Sequence, residues 1–413
     1  MQNDALPVAD LATRLIDSPL IAVLLIGVAL AVATILARTS AAIRRTLSHV
    51  ETHRQTSIDG LRGFLGISVF VHHTVITWFF LHGSPWQLPP SRFVVHLGQT
   101  SVALFFMITA FLFWGRVLDR GSRIDWTEFL ILRLYRLYPV YLLMLALLLT
   151  TALAAATLSR PPTSGPVAGP LLDWVLFTLF TTPNLGGLPD TGLLVAWVTW
   201  SLRYEWLFYL ALPMIGFLTG RSRQPVAALV SAAVVALILQ RLHWQTFSPR
   251  ILLPFAGGIA AAHWVRAPRL AALGRIPVAG AVAIAALAGV VTLLPGAYSW
   301  QATAGLTVFF LVIASGHSLW GLLRLPGLLW LGDITYSIYL LHGLFLWVVL
   351  QWFLPRALAA SPSVFLGSTV MIDAVLLPVC SVVFMTIERP GILLGKRHVS
   401  RLRSAFAVSA GKP

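Results

Sequence analysis

Residues 59–80 read DGLRGFLGISVFVHHTVITWFF: an acid and a base at one end, two histidines further in, and apolar or small side chains nearly everywhere else. A run of that length and polarity is a candidate membrane-crossing helix. On a helix each residue advances by about 100° and about 1.5 Å. Arg62 and His73 therefore project from one face, with the histidine roughly 16 Å further along. Asp59 and Gly66 fall within about 40° of that face, and His72 points elsewhere. A charged entrance, a glycine-thinned wall and one deeper histidine describe a lined path into an apolar interior. An ionisable group at such depth is costly, so a functional role is its default reading. The competing reading makes Arg62 a membrane-edge anchor and His73 a core histidine bonded to a neighbouring helix.

The rest of the chain fits the same setting. Of its 413 residues 58% are apolar and 10% charged, where soluble domains carry about 25% charge. Several further apolar runs approach the roughly 20 residues needed to span a bilayer. They are continuous rather than alternating, which excludes a closed β-barrel. The fold class is therefore all-α, a polytopic membrane protein. The net charge of +15 would suit a nucleic-acid binder. The basic residues, however, sit in short loops between apolar runs and mostly on alternate loops, which is an orientation signal. A single cysteine, Cys380, inside an apolar run excludes an internal disulfide and a cysteine metal site. No resident metal or cofactor and no nucleic-acid partner is expected. The acidic first 17 residues lack the basic leading region of a cleavable signal peptide.

Eleven spans are expected, at about 18–36, 62–81, 97–116, 137–157, 200–218, 225–240, 249–265, 276–295, 302–322, 333–352 and 364–387. The N-terminal tail, with Asp4, Asp10 and Asp17, lies outside. Arg38, Arg44, Arg45 and Arg54 follow in an interface-lying link, and the basic C-terminal tail is cytoplasmic. On this arrangement 21 of the 29 Lys and Arg lie in cytoplasmic loops and seven, Arg160 and Arg203 among them, in outer segments. The apolar piece 171–183 is too short to span and dips partway in or lies flat. Residues 1–56 hold the tail, first helix and link, 57–390 one membrane core, and 391–413 the basic tail.

Four clusters could do chemistry. The first is Asp59, Arg62 and His73. The second is Arg133 and Arg136, three apart on one face at the foot of the fourth span. They suit phosphate groups, or serve only as topology signal and anionic-lipid contact. The third is Trp200, Ser201, Arg203 and Glu205. Glu205 could close a sugar-hydroxyl site, or belong to an aromatic belt with Arg203 on the external headgroups. The fourth is Asp333, Tyr336, Tyr339 and His342, where His342 lines a substrate site or is a hydrogen-bonded packing histidine.

Taken together, DGLRG at 59–63, the Arg62 to His73 spacing, FFMITAFLFWGR at 105–116, RLYRLYP at 133–139, WSLRYEWLFYL at 200–210, LGDITYSIYLLH at 331–342 and ERP at 388–390 resemble the acyltransferase-3 family of integral membrane acyltransferases. The ordered set covers roughly 57–390. The family core has ten spans, so the first helix here looks like an addition. Around Glu205 the family often reads WSLSVEEQFYL, and here Arg203 and Trp206 depart from it, which bears on acceptor preference. The resemblance implies transfer of an acyl group, usually acetyl, from cytoplasmic acyl-CoA to a hydroxyl of an extracytoplasmic polysaccharide, lipopolysaccharide or lipid-linked glycan in a bacterial inner membrane. His73 would be general base or transient acyl carrier, helped by Asp59 and Arg62. Arg133 and Arg136 would take the CoA phosphates, and Glu205, Trp200, Ser201, Tyr336 and His342 would line the acceptor side. A transporter or flippase of acyl groups or lipid-linked glycans, and an acyltransferase for a small molecule or a lipid, are the rival classes.

Overall fold

A computed structural model describes residues 8–48, 55–158, 165–242 and 247–409. Asp4, Arg54 and Arg160, which enter the charge reading, lie outside the described residues. In chain order the helices are α1 (Val8–Ile16), α2 (Pro19–Thr39), α3 (Ala41–Ser48), α4 (Thr56–Leu81), α5 (Arg92–Arg120), α6 (Trp126–Leu158), α7 (Ala168–Val175), α8 (Trp200–Leu218) and α9 (Pro225–Arg241). There follow α10 (Leu253–Trp264), α11 (Pro268–Leu273), α12 (Pro277–Leu293), α13 (Trp300–Ala314), α14 (Pro326–Trp347), α15 (Arg356–Ala359), α16 (Pro362–Val383) and α17 (Arg389–Ser409). Among the described residues the regular structure is all helical, and six stretches are long and apolar enough to cross a membrane. They are Pro19–Thr39, Thr56–Leu81, Arg92–Arg123, Trp126–Thr157, Pro326–Phe353 and Pro362–Ser404. The other expected spans appear as helices too, but α9, α10, α12 and α13 are shorter, at 17, 12, 17 and 15 residues.

Several boundaries move, each for a local reason. The expected fourth span begins at 137, yet α6 starts at Trp126, because Asp125 accepts from the Glu128 backbone N–H and caps the helix there. Arg133 and Arg136 consequently sit two to three turns inside the helix rather than at its foot. The expected span at 302–322 ends at Ala314, where Gly316, Leu319, Trp320 and Gly321 all take positive φ and turn the chain. The piece at 171–183 is helical only to Val175 and then bends at Phe177 and Thr178, both with positive φ.

The chain forms two compact units. The first takes Met1–Leu112, Leu193–Ala196 and Ser248–Pro378. Its centre is the pairing of α4 with α14, on which α2 also packs. The face of α2 that is buried carries Leu25, Ala29, Ala33 and Ala37 at fourfold spacing, a small-residue ladder suited to close approach of helices in lipid. The expected first span is therefore built into this unit. The second unit takes Phe113–Gly192, Trp197–Phe247 and Val379–Pro413, in which α17 packs on α6 and α9 on α8.

Two helices widen locally. α14 runs on into a π-helical turn, Val348–Phe353, and α16 reaches α17 through another, Phe384–Glu388. Pro390 lies two residues after the end of the second one, as the second residue of α17. It supplies no N–H and its ring crowds the preceding turn, which accounts for the widened turn there.

Candidate active site

The glycines of the opening stretch make the site possible by letting two backbones touch. A side-chain carbon at Gly60 would stand 1.9 Å from the Leu323 carbonyl oxygen, and one at Gly63 2.3 Å from that of Leu328. From the other side, one at Gly332 would stand 2.1 Å from the Asp59 carbonyl oxygen. Thr335 Oγ1 of α14 adds a hydrogen bond to the Arg62 carbonyl at 3.1 Å. Gly66, expected to thin the wall of a path, faces Thr335 instead, with its methyl 3.1 Å from where a side-chain carbon would lie. Its smallness serves helix packing. At the mouth of α4, Asp59 and Arg62 pair with each other at 3.7 Å, with the carboxylate largely buried.

Further along the same two helices, the seam brings His73 and His342 together. His342 Nε2 lies 3.0 Å from His73 Nδ1, and the ring centroids are 5.0 Å apart. His342 is wholly buried and His73 half-buried. His72 faces away, as its helical angle requires, and donates from Nδ1 to the Val94 carbonyl at 2.8 Å. Because α4 begins earlier than expected, His73 is not at its middle. It lies eight residues from the Leu81 end, about 12 Å.

Trp86, in the loop after α4, stacks over His73 with centroids 6.2 Å apart and ring planes 15° from parallel. Beside it is a small, partly open pocket with room for about one water molecule, lined by Thr77, Phe80, Trp86, Gly343, Trp347 and Gln351 among others. Gly343 follows His342 directly, so the cavity adjoins the histidine pair through both of its helices. The sequence reading missed Trp86. Its only signal was an aromatic residue set between prolines in a short loop.

In the second unit, the two arginines of RLYR have different surroundings. Arg136 pairs at 3.2 Å with Glu388, whose side chain has no exposure. Arg133 places its guanidinium carbon 4.5 Å from the centre of the Phe113 ring, and Arg116 approaches the same ring at 5.2 Å. Among the described residues neither Arg116 nor Arg133 has a carboxylate within ion-pair distance, and the Nε of Arg133 is buried without a hydrogen-bond partner. Phe113 in turn packs edge-on against Phe129 and Tyr209. Two guanidinium groups on one aromatic ring, with no carboxylate paired to either among the described residues, have the charge and geometry that suit an anion. Arg116 was overlooked in the sequence, although it ends the run FFMITAFLFWGR.

The remaining candidates are distributed as follows. Glu205 accepts from the Tyr209 hydroxyl at 2.9 Å and lies in the electrostatic surroundings of Arg133. Trp200 packs edge-on against Tyr204, and Ser201 is buried with its hydroxyl on the Val198 carbonyl. Arg203 does not reach external headgroups. It is buried and donates from Nε and Nη2 to the Thr178 carbonyl at 3.2 and 2.9 Å, fastening the positive-φ turn after α7. Tyr336 and the buried Asp333 lie on α14, and Tyr339 packs 6.3 Å from His342.

Comparison with known proteins agrees with this picture. The model of a family described as an acyltransferase domain matches residues 55–386. The Exopolysaccharide production protein ExoZ of Rhizobium meliloti (strain 1021) is 30% identical over 327 residues, which are 76% of this chain and 96% of that protein. No solved structure matches the chain. A helical membrane core, together with a family match over most of its length, identifies the chain as an enzyme of the acyltransferase-3 family of membrane acyltransferases.

Proposed function

We propose that this enzyme moves an acyl group, acetyl by preference, from cytoplasmic acyl-CoA to a hydroxyl of an extracytoplasmic polysaccharide. The observation that carries the reading is the histidine pair beside an aromatic-walled cavity. Trp86, Phe80 and Trp347 offer flat apolar faces of the kind that sugar rings lie against, and Gln351 offers an amide for hydroxyls. The relative named for exopolysaccharide production points to the same class of acceptor. The charge asymmetry of the loops favours a bacterial inner membrane with α1 outside and α17 cytoplasmic.

In the proposed reaction His73 takes the proton of the acceptor hydroxyl as its oxygen attacks the thioester carbonyl. The new C–O bond forms, the C–S bond breaks, and the departing thiolate recovers the proton from the imidazole. Arg133 and Arg116 hold the donor's phosphates. The test compares surface polysaccharide by mass spectrometry from cells carrying the gene, lacking it, or carrying His73→Ala. Acyl-mass increments should disappear in the last two, with the variant still inserted at normal levels. Acylation retained with His73→Ala would reject the role of the imidazole.

A further inference from the structure

We infer that His342 is a positioning residue that holds His73 in a single tautomer, Nδ1 protonated and Nε2 bare, so that all acyl-transfer chemistry runs through His73 Nε2. The consequence for catalysis rests on the proposed acyl transfer; the tautomer itself does not.

The argument uses three contacts. His73 Nδ1 lies 3.1 Å from the Val69 carbonyl oxygen, and His342 Nδ1 lies 3.0 Å from that of Ile338. His342 Nε2 lies 3.0 Å from His73 Nδ1. A carbonyl oxygen only accepts, so each Nδ1 facing one carries a proton. A neutral imidazole has one N–H. His342 therefore spends its proton on Ile338 and turns a lone pair, on Nε2, toward His73. The Nδ1–H of His73 is shared between that lone pair and the Val69 oxygen, which leaves His73 Nε2 bare. The opposite assignment, with His342 donating from Nε2, sets a ring lone pair against a carbonyl oxygen at both Val69 and Ile338. Protonating His342 on both nitrogens would aim an N–H at the N–H of His73.

Nothing nearby relaxes this arrangement. His342 has no exposure, so no water takes over its partners. Phe70 and Tyr339 flank its ring at 6.4 and 6.3 Å, and Trp86 covers a face of His73. His72, edge-on to His73 with centroids 5.1 Å apart, has its own Nδ1 committed to Val94. When His73 accepts the substrate proton at Nε2, its Nδ1–H becomes a stronger donor, and His342 is already in place to receive it.

The test uses full-length protein in nanodiscs with histidine labelled by nitrogen-15, the His73 signals being assigned by their loss in His73→Gln. Kinetics with acetyl-CoA and de-O-acylated surface polysaccharide of the source strain accompany the spectra. Wild-type His73 should show a protonated Nδ1 and a bare Nε2. His342→Leu should mix the tautomers and lower kcat at least 100-fold, with KM for acetyl-CoA within threefold. His342→Gln, whose carboxamide oxygen can accept from Nδ1–H, should restore one tautomer and stay within tenfold of wild-type kcat. A bare Nδ1 in the wild type overturns the inference. So does wild-type turnover in His342→Leu, or a His342→Gln as inactive as the leucine variant despite an intact tautomer. If His342→Leu does not fold, the wild-type and glutamine spectra decide. If wild-type protein transfers no acyl group, the proposed function fails while the spectra still settle the tautomer.

Discussion

The carboxylate of Glu388, wholly shielded from solvent, stands 3.2 Å from the guanidinium of Arg136, so the last residue of RLYR and the first of ERP are two halves of one ion pair joining α6 to the π-helical turn between α16 and α17. Breaking a buried pair strands a charge and costs about 3–5 kcal/mol, whereas removing both partners costs less. Arg136→Ala and Glu388→Ala should each lower the thermal midpoint of the detergent-solubilised protein substantially. The double variant should lose clearly less than the sum, and a double-mutant cycle on thermal unfolding measures the coupling. Strict additivity would show that the pair is not energetically linked.

Arg133 and Arg116 are expected to act on substrate rather than on stability. Each lies over Phe113 with no carboxylate paired to it among the described residues. Arg133→Gln or Arg116→Gln should raise KM for acyl-CoA about tenfold, the ~1.4 kcal/mol typical of one charge-assisted contact. Arg123→Gln, which removes the same charge from an exposed turn nearby, should change it by less than about twofold. Steady-state kinetics in nanodiscs separate these. Equal effects at all three positions would reduce the role of the arginines to general attraction.

The glycines between α4 and α14 divide by what they touch. Gly60→Ala drives a methyl group onto the Leu323 carbonyl oxygen, in the turn before α14, and Gly332→Ala onto that of Asp59 on α4, so the packed elements must separate, at a cost of about 1–3 kcal/mol. Gly66→Ala meets the methyl of Thr335 at 3.1 Å and needs a shift of only a few tenths of an ångström. Expression level and thermal midpoint should therefore fall sharply for the first two and little for the third. A tolerated Gly332→Ala would contradict the contact.

Asp17, between α1 and α2, supplies a test by pH. Burial pushes its carboxyl up to about 6, although Oδ2 accepts from the Ser91 backbone N–H at 2.9 Å. Its other oxygen is buried without a partner. An acid with a raised folded-state value contributes stability below its unfolded value, about 4, and loses it as pH climbs through about 6. Asp17→Asn keeps an acceptor for Ser91 and removes the charge. The thermal midpoint of wild type relative to this variant should fall between pH 4 and pH 7, and parallel curves would refute the assignment.

Much of the architecture was legible because lipid imposes a coarse rule. Long apolar runs with basic ends could only be helices, and α2, α8, α9, α12 and α16 start within a few residues of where hydropathy places them. The start of α6 was misjudged because a cap at Asp125, not hydropathy, sets it. Within the site, His73 stood out by depth and spacing. His342 stood out as a separate candidate, but its pairing with His73 did not, because 269 residues separate the two and only tertiary packing joins them. The same holds for Arg136 and Glu388, and without Glu388 the two arginines of RLYR look equivalent. Arg203 misled for a related reason: its partner is a main-chain oxygen at a strained turn, and composition carries no trace of such a partner.

The seam of main-chain contacts at Gly60, Gly63 and Gly332 makes the mounting of the two histidines a property of the backbone rather than of replaceable side chains. Homologues drifting toward new acceptors would therefore be expected to vary the loop that carries Trp86 and the cavity walls around Gln351 while inheriting the same imidazole post. Engineering a new acceptor preference has the same two regions open to it, and a library confined to them would leave the reacting nitrogen where it is.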